Sequence, residues 1–182
     1  INAPRSPQGR VPICQAGGSP RGQAFAARWA DTIITNALSI EAMKNFREDV
    51  RRRAAGYGRD PDSIKVLFLA YPIVDTTVEA AIERKRLLAE QDGRHVDMNL
   101  SGLSRLTNID FSKFDLDEPL PAGLTTNGHQ SSLANWIGKT PRALATATGS
   151  RQGFELVGTP DSVASRCQEI MQEVGGDGFL IF

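Results

Sequence analysis

The residues best placed to do chemistry are Gly17-Gly18-Ser19-Pro20, a turn between an apolar segment at residues 11–16 and an alanine-rich one at residues 21–30. Two glycines let an anionic group approach the main chain closely. A helix beginning at Pro20 would aim unpaired N–H groups and its positive dipole end at that anion, with the Ser19 hydroxyl as a further donor. The same four residues equally suit a plain helix start, with Ser19 as cap and Pro20 in the first turn. The pattern is neither GxxxxGK[ST] nor GxGxxG, which excludes a Walker loop and a dinucleotide fingerprint.

A second polar group, Asn127-Gly128-His129-Gln130-Ser131, follows a long stretch without periodicity. Asn127, His129 and Gln130 are candidates to face a substrate. The plainer alternative is a glycine-centred turn in which Gln130 or Ser131 starts a helix. His95 has no partner at ligand spacing, and no metal site is expected. Cys14 falls in an apolar strand and Cys167 on an apolar helix face, so both read as small buried hydrophobes rather than nucleophiles. They form neither a CxxC pair nor a disulfide framework, which points to a reducing compartment. Asp115, Asp117 and Glu118 stand beside Pro119 and Pro121 and read as turn formers, not as a paired acid and base. Arg51-Arg52-Arg53 and residues 83–86 read as solvated helix faces.

These groups must be held by the elements around them. Strands are expected at residues 11–16, 31–35, 64–74 and 178–182, the first and last of them buried. A helix at residues 21–30 precedes one capped by Ser39, whose Ile40, Met43, Phe46, Val50 and Ala54 recur at helical spacing. Gly56, Gly58 and Pro61 end that helix. Thr77 caps another over residues 78–91. Residues 93–128 read as a structureless insertion, and short helices follow at 130–137 and after Thr140-Pro141. Thr159-Pro160 starts a firm helix with Val163, Cys167, Ile170, Met171 and Val174 on one face. The alternation is α/β with parallel strands, and a half barrel and a doubly wound sheet both fit it.

Lys plus Arg equals Asp plus Glu at 21 each, and this balance argues against nucleic-acid binding. The apolar runs are too short to span a bilayer and no signal peptide opens the chain, so a soluble cytoplasmic protein is expected. Ile1 is not a methionine, and the chain stops within an apolar strand at Phe182. It reads as cut at both ends.

The run Pro4-Arg5-Ser6-Pro7-Gln8-Gly9-Arg10 leads to Gln15-Ala16-Gly17-Gly18-Ser19-Pro20 and Ala26-Ala27-Arg28-Trp29-Ala30-Asp31. Gly58-Arg59-Asp60-Pro61 with Ile64-Lys65-Val66-Leu67, then Ile109-Asp110-Phe111-Ser112 and Asp115-Leu116-Asp117, come next in order. Asn127-Gly128-His129-Gln130-Ser131, Val157-Gly158-Thr159-Pro160 and Asp177-Gly178-Phe179 close the series. Together these pieces resemble the luciferase-like flavin-dependent monooxygenases. Within them the chain is most similar to the branch acting on nitrilotriacetate, EDTA, dibenzothiophene sulfone and long-chain alkanes.

The resemblance covers nearly the whole chain. It implies that residues 1–182 are the C-terminal portion of a single TIM-like (β/α) barrel domain, with the insertion at about 93–128 over its mouth. Flavin mononucleotide (FMN) would lie at the C-terminal ends of the strands, with Gly17, Gly18 and Ser19 at its phosphate. Relatives often carry Ser-Ser where this chain has Gly18-Ser19, so one hydroxyl donor is lost. Trp29 stands where relatives commonly place His, which reads as a packing change.

The implied activity inserts one oxygen atom from O2 into a small organic substrate. Reduced FMN would come from a separate NAD(P)H-dependent flavin reductase, and the full-length protein is expected to be a homo-oligomer. The principal catalytic residues, histidines included, are expected upstream of Ile1. By itself the chain is expected to be inactive, because half a barrel leaves strand edges uncovered. A non-catalytic flavin- or phosphate-binding protein on this scaffold, or an inactive fragment, are the alternatives.

Overall fold

A computed structural model describes residue 4 and residues 6–146 and 153–181. In chain order the elements are β1 (Cys14–Ala16), α1 (Pro20–Trp29), β2 (Thr32–Thr35), α2 (Ile40–Gly56), β3 (Lys65–Val74), α3 (Val78–Gly93) and α4 (Val96–Thr107). They continue with α5 (Gln130–Trp136), α6 (Pro141–Thr146), β4 (Phe154–Gly158), α7 (Pro160–Val174) and β5 (Gly178–Ile181). The strands pair in the order β1-β2-β3-β4, with β5 also on β3, and the β1–β2, β2–β3 and β3–β5 pairs are parallel. The chain divides into two compact units, Ile1–Ala70 with Cys167–Phe182, and Tyr71–Arg166.

The first unit is built on the parallel register Ala16↔Ile34↔Leu67↔Gly178. Ile33, Val66 and Phe68 are fully buried on the strands. Ala26 and Ala27 of α1 and Ala30 beyond it let that helix lie close, while Met43, Val50 and Ala54 make the buried stripe of α2. Each large aliphatic or aromatic side chain buried in this way contributes about 1.5–3 kcal/mol. Ser39 caps α2, with Oγ accepting the Ala42 N–H at 3.1 Å. Arg59 closes the end of α1, donating to the Ala26 and Ala27 carbonyls at 3.3 and 3.2 Å. The Asp177 carboxylate accepts the Val66 N–H at 3.0 Å and faces Lys65 at 3.4 Å, fastening the start of β5 to the start of β3.

Two expectations for this unit are corrected. The first strand is three residues long, not six, and both ends of it are exposed. Cys14 is therefore exposed rather than buried. The reason is position: β1 is the edge of the sheet, with β2 on one side and no described strand on the other. In β5, Leu180 and Ile181 are likewise exposed although their composition read as buried on both faces. Phe182, at the end of that expected strand, lies outside the described residues.

Asp31 anchors the approach to β1. Its carboxylate accepts the Ile13 N–H at 2.7 Å and pairs with Arg10. The Ile13 N–H first, and Arg10 next, hold this carboxyl below the usual aspartate range. A carboxyl lowered on folding stabilises the protein above its unfolded value and loses that contribution as pH falls through the folded one. Asp31→Asn should therefore lower Tm at neutral pH, and the difference from the wild type should close below about pH 4. Melts across pH test this, and a pH-independent difference would contradict it.

The second unit corrects the reading of residues 93–128 as structureless. Val96, Leu100, Leu103 and Thr107 recur at i, i+4, i+7 and i+11, and they form one face of α4. Asn108 ends the helix in the left-handed region at φ 56°. A hydrophobic cluster of Leu100, Phe111, Leu120, Leu144 and Ala145 packs beneath, with Trp136 and Phe114 around it. Its members run past residue 128 into α5 and α6. The Phe111 ring sits 6.0 Å from both Phe114 and Trp136. Asn99 donates to the Ala145 carbonyl at 2.8 Å, and the Arg142 fork grips Asp117 at 2.7 and 2.9 Å. A strand missed by the sequence reading, β4, lies between α6 and α7. Phe154 and Leu156-Val157 are its apolar residues, and Gly158 ends it.

Candidate functional site

The turn at Gly17-Gly18-Ser19 leaves the C-terminal end of β1 and enters α1 with Pro20 at the first helical position. Gly17 donates its N–H to the Ile34 carbonyl at 2.9 Å, which ties the turn to β2. It holds φ at +123°, and a Cβ there would meet nothing within 4 Å. The space above it is open. Ser19 is the N-cap, its Oγ accepting the Gly22 N–H at 3.1 Å, so its own proton remains available to a ligand. Gln23 fixes the other side by donating to the Gly18 carbonyl at 2.9 Å. Among the described residues, the N–H groups of Gly18, Ser19 and Arg21 have no protein acceptor.

These features satisfy both readings offered by the sequence. Ser19 is a cap, and the turn is also an open cradle of N–H donors at a helix N-terminus and a strand end. An anionic phosphate fits it: the glycine at position 17 keeps the approach clear, and the helix dipole favours negative charge. Thr35, at the end of β2, also belongs to the surroundings of this turn, since a Cβ on Gly18 would lie 3.0 Å from its Oγ1. The sequence reading treated Thr35 only as strand. The available signal was its place as the last residue of Thr32-Ile33-Ile34-Thr35, where parallel strands present their ligand-facing ends.

Asn127, His129 and Gln130 belong to the second unit and are exposed. His129 caps α5, its Nδ1 accepting the Ser132 N–H at 3.3 Å with Ser131 Oγ at 3.4 Å. With Nδ1 as acceptor, the neutral ring carries its proton on Nε2. Gln130 donates back to the Thr126 carbonyl at 3.4 Å. Gly128 passes so close to α4 that a Cβ would lie 2.7 Å from the Thr107 carbonyl carbon and oxygen. His129 N–H meets the Leu106 carbonyl at 3.0 Å. The glycine-centred helix start is thus present, docked on the end of α4.

The remaining polar residues behave as structural groups. Asp115 accepts the Asp117 N–H at 2.8 Å, a turn contact. Cys167 is half-buried rather than buried, and that burial pushes its thiol up. Trp29 is half exposed, with the Arg28 guanidinium 4.8 Å from its ring centroid, so it lies on the surface rather than in the packing. Among the described residues no helix is long and apolar enough to cross a membrane.

The sequence profile of the luciferase-like monooxygenases matches residues 1–178. The chain belongs to this family. This luciferase-like chain is 34% identical over 194 residues to the N-acetyl-S-(2-succino)cysteine monooxygenase of Bacillus subtilis (strain 168), covering 100% of this chain and 43% of that protein. It is 34% identical over 192 residues to nitrilotriacetate monooxygenase component A of Aminobacter aminovorans, covering 100% of this chain and 42% of the relative. A solved riboflavin lyase, crystallised with modified FMN and riboflavin, is 29% identical with a TM-score of 0.84, over 99% of this chain and 40% of its own. The fold is α/β with a parallel sheet, corresponding to part of the barrel of this family. The luciferase-like chain spans about two fifths of the length of these relatives.

Proposed function

We propose that the protein containing this chain is a reduced-FMN-dependent monooxygenase, and that Gly17, Gly18 and Ser19 hold the phosphate of the flavin. The open cradle of unpaired N–H groups at the start of α1 carries this reading, together with membership of the family. When bound, the flavin supplies the oxygen chemistry, with O2 as co-substrate and a small organic molecule as acceptor of one oxygen atom. The chain's own contribution is to bind and orient. Its N–H groups and the Ser19 hydroxyl fix the phosphate end, while Asn127, His129 and Gln130 present polar groups to the substrate. His129 would do so as a donor through Nε2–H. A separate NAD(P)H-dependent reductase supplies reduced flavin, in keeping with a relative named as one component of its system. Residues 1–182 act as the C-terminal portion of a cytoplasmic, homo-oligomeric barrel enzyme, with the principal catalytic residues elsewhere in the protein.

Ser19→Ala tests the cradle. Flavin fluorescence titration of the full-length protein should show FMN binding weakened by about tenfold, the loss of one hydrogen bond to a charged group. The cap is lost as well, at a cost of about 1 kcal/mol in stability. Unchanged FMN affinity would remove Ser19 from the site.

A further inference from the structure

Thr35 and Thr107 are the two buried polar residues among those described. Thr107 donates its hydroxyl to the Leu103 carbonyl at 2.9 Å, one helical turn back. Thr35 sits on a strand, where no such carbonyl is in reach, and among the described residues its Oγ1 has no hydrogen-bond partner. The residue is only 5% exposed. The hydroxyl oxygen itself is not sealed off from solvent, so without a protein partner it is open to water or to a ligand that displaces it.

The position of that hydroxyl says which ligand it can reach. The register Ala16↔Ile34 sets Thr35 beside the turn that follows β1, and a Cβ on Gly18 would meet its Oγ1 at 3.0 Å. The same Cβ would lie 3.7 Å from Phe46, whose ring packs edge-on against Phe68. Thr35 Oγ1 thus stands where a side chain at position 18 would extend, over an apolar floor. We infer that Thr35 is a phosphate ligand, its hydroxyl lying beside Gly18 and donating to the flavin phosphate held in the cradle. Two features suit it to the task. A threonine on a strand has a stiff χ1, which holds the donor in place, and the apolar floor strengthens a hydrogen bond to an anion. The inference rests on the cradle binding phosphate, and adds the residue that lets it select FMN over the unphosphorylated flavin.

FMN and riboflavin differ only in the phosphate, so the ratio of their affinities isolates this contact. Full-length protein would be titrated with each by flavin fluorescence, as wild type and as Thr35→Val, Thr35→Ser, Thr35→Ala and Ser19→Ala. Thr35→Val, which keeps the side-chain shape, should weaken FMN by about tenfold and leave riboflavin unchanged, while Thr35→Ser keeps the preference. Adding Gly18→Ser to Thr35→Ala returns a hydroxyl to the same space and should restore what Thr35→Ala loses. A Thr35→Val protein that keeps its FMN preference while Ser19→Ala loses it overturns the role of Thr35 and leaves the cradle standing. Equal weakening of both flavins, or a double variant no better than Thr35→Ala, also overturns it. A wild type binding FMN no more tightly than riboflavin overturns the cradle itself.

Discussion

Phe111→Ala should unfold the cluster of the second unit before it disturbs anything else. The side chain is fully buried and meets Phe114 and Trp136 at ring distances of 6.0 Å. Cutting such a ring back to a methyl group leaves a cavity and costs about 3–5 kcal/mol. The loss falls on a cluster whose other fully or nearly buried members are Leu100, Leu120, Leu144 and Ala145, with Val96, Leu103 and Trp136 among the partly buried side chains packed against it, so the hole opens where α4, α5 and α6 meet. Phe111 also anchors its own loop, because its N–H donates to Ser104 Oγ at 3.1 Å. Amide hydrogen exchange in α4 should then accelerate by about two orders of magnitude or more. Exchange in β2 and the first half of β3 should change far less. Phe111→Leu, which keeps most of the volume, should retain most of the protection. Unaltered exchange in α4 would mean that the cluster does not hold that helix.

Gly17→Ala has the larger expected effect on binding. The residue holds φ at +123°, a conformation open to glycine and strained for any residue with a Cβ, at about 1–3 kcal/mol. Nothing lies within 4 Å of the added methyl group. The stability cost therefore comes from the backbone alone. In the bound state the methyl group would stand in the space through which the phosphate reaches the N–H groups. FMN affinity should fall by more than tenfold while riboflavin affinity falls less. Gly56→Ala is the matched control. Its Cβ also meets nothing, but it closes α2 without a positive φ, so it should leave stability unchanged or raise it by about 0.5–1 kcal/mol. Isothermal titration with the two flavins and thermal melts of each variant would separate these effects. If Gly17→Ala bound FMN as the wild type does, the anion would not approach over that residue.

The helices were legible wherever a cap and a periodic face coincided. Ser39 with Met43, Val50 and Ala54, Thr77 before α3, and Thr159-Pro160 before α7 each state a start and a buried stripe within one segment. The turn at Gly17-Gly18-Ser19-Pro20 was legible for the same reason: Ser, Pro and Gly act there through local backbone preferences. Where segments lacked a strong local mark, the reading failed. The stripe of α4 was hidden among Gly, Asn and Asp residues, and β4 is a short strand that follows Gly153 and ends on Gly158.

Burial of the strands was not legible at all. Composition says that Cys14, Leu180 and Ile181 prefer the interior, but whether an interior exists for them depends on which strand lies alongside, a property of the assembled sheet. The same holds for the cradle. The sequence by itself determined that a phosphate could approach Gly17-Gly18-Ser19, because cap, glycines and dipole are local. The tertiary structure alone decided that Thr35 stands beside Gly18, since they lie 17 positions apart in the chain and only the parallel pairing of β1 with β2 brings that hydroxyl to the turn.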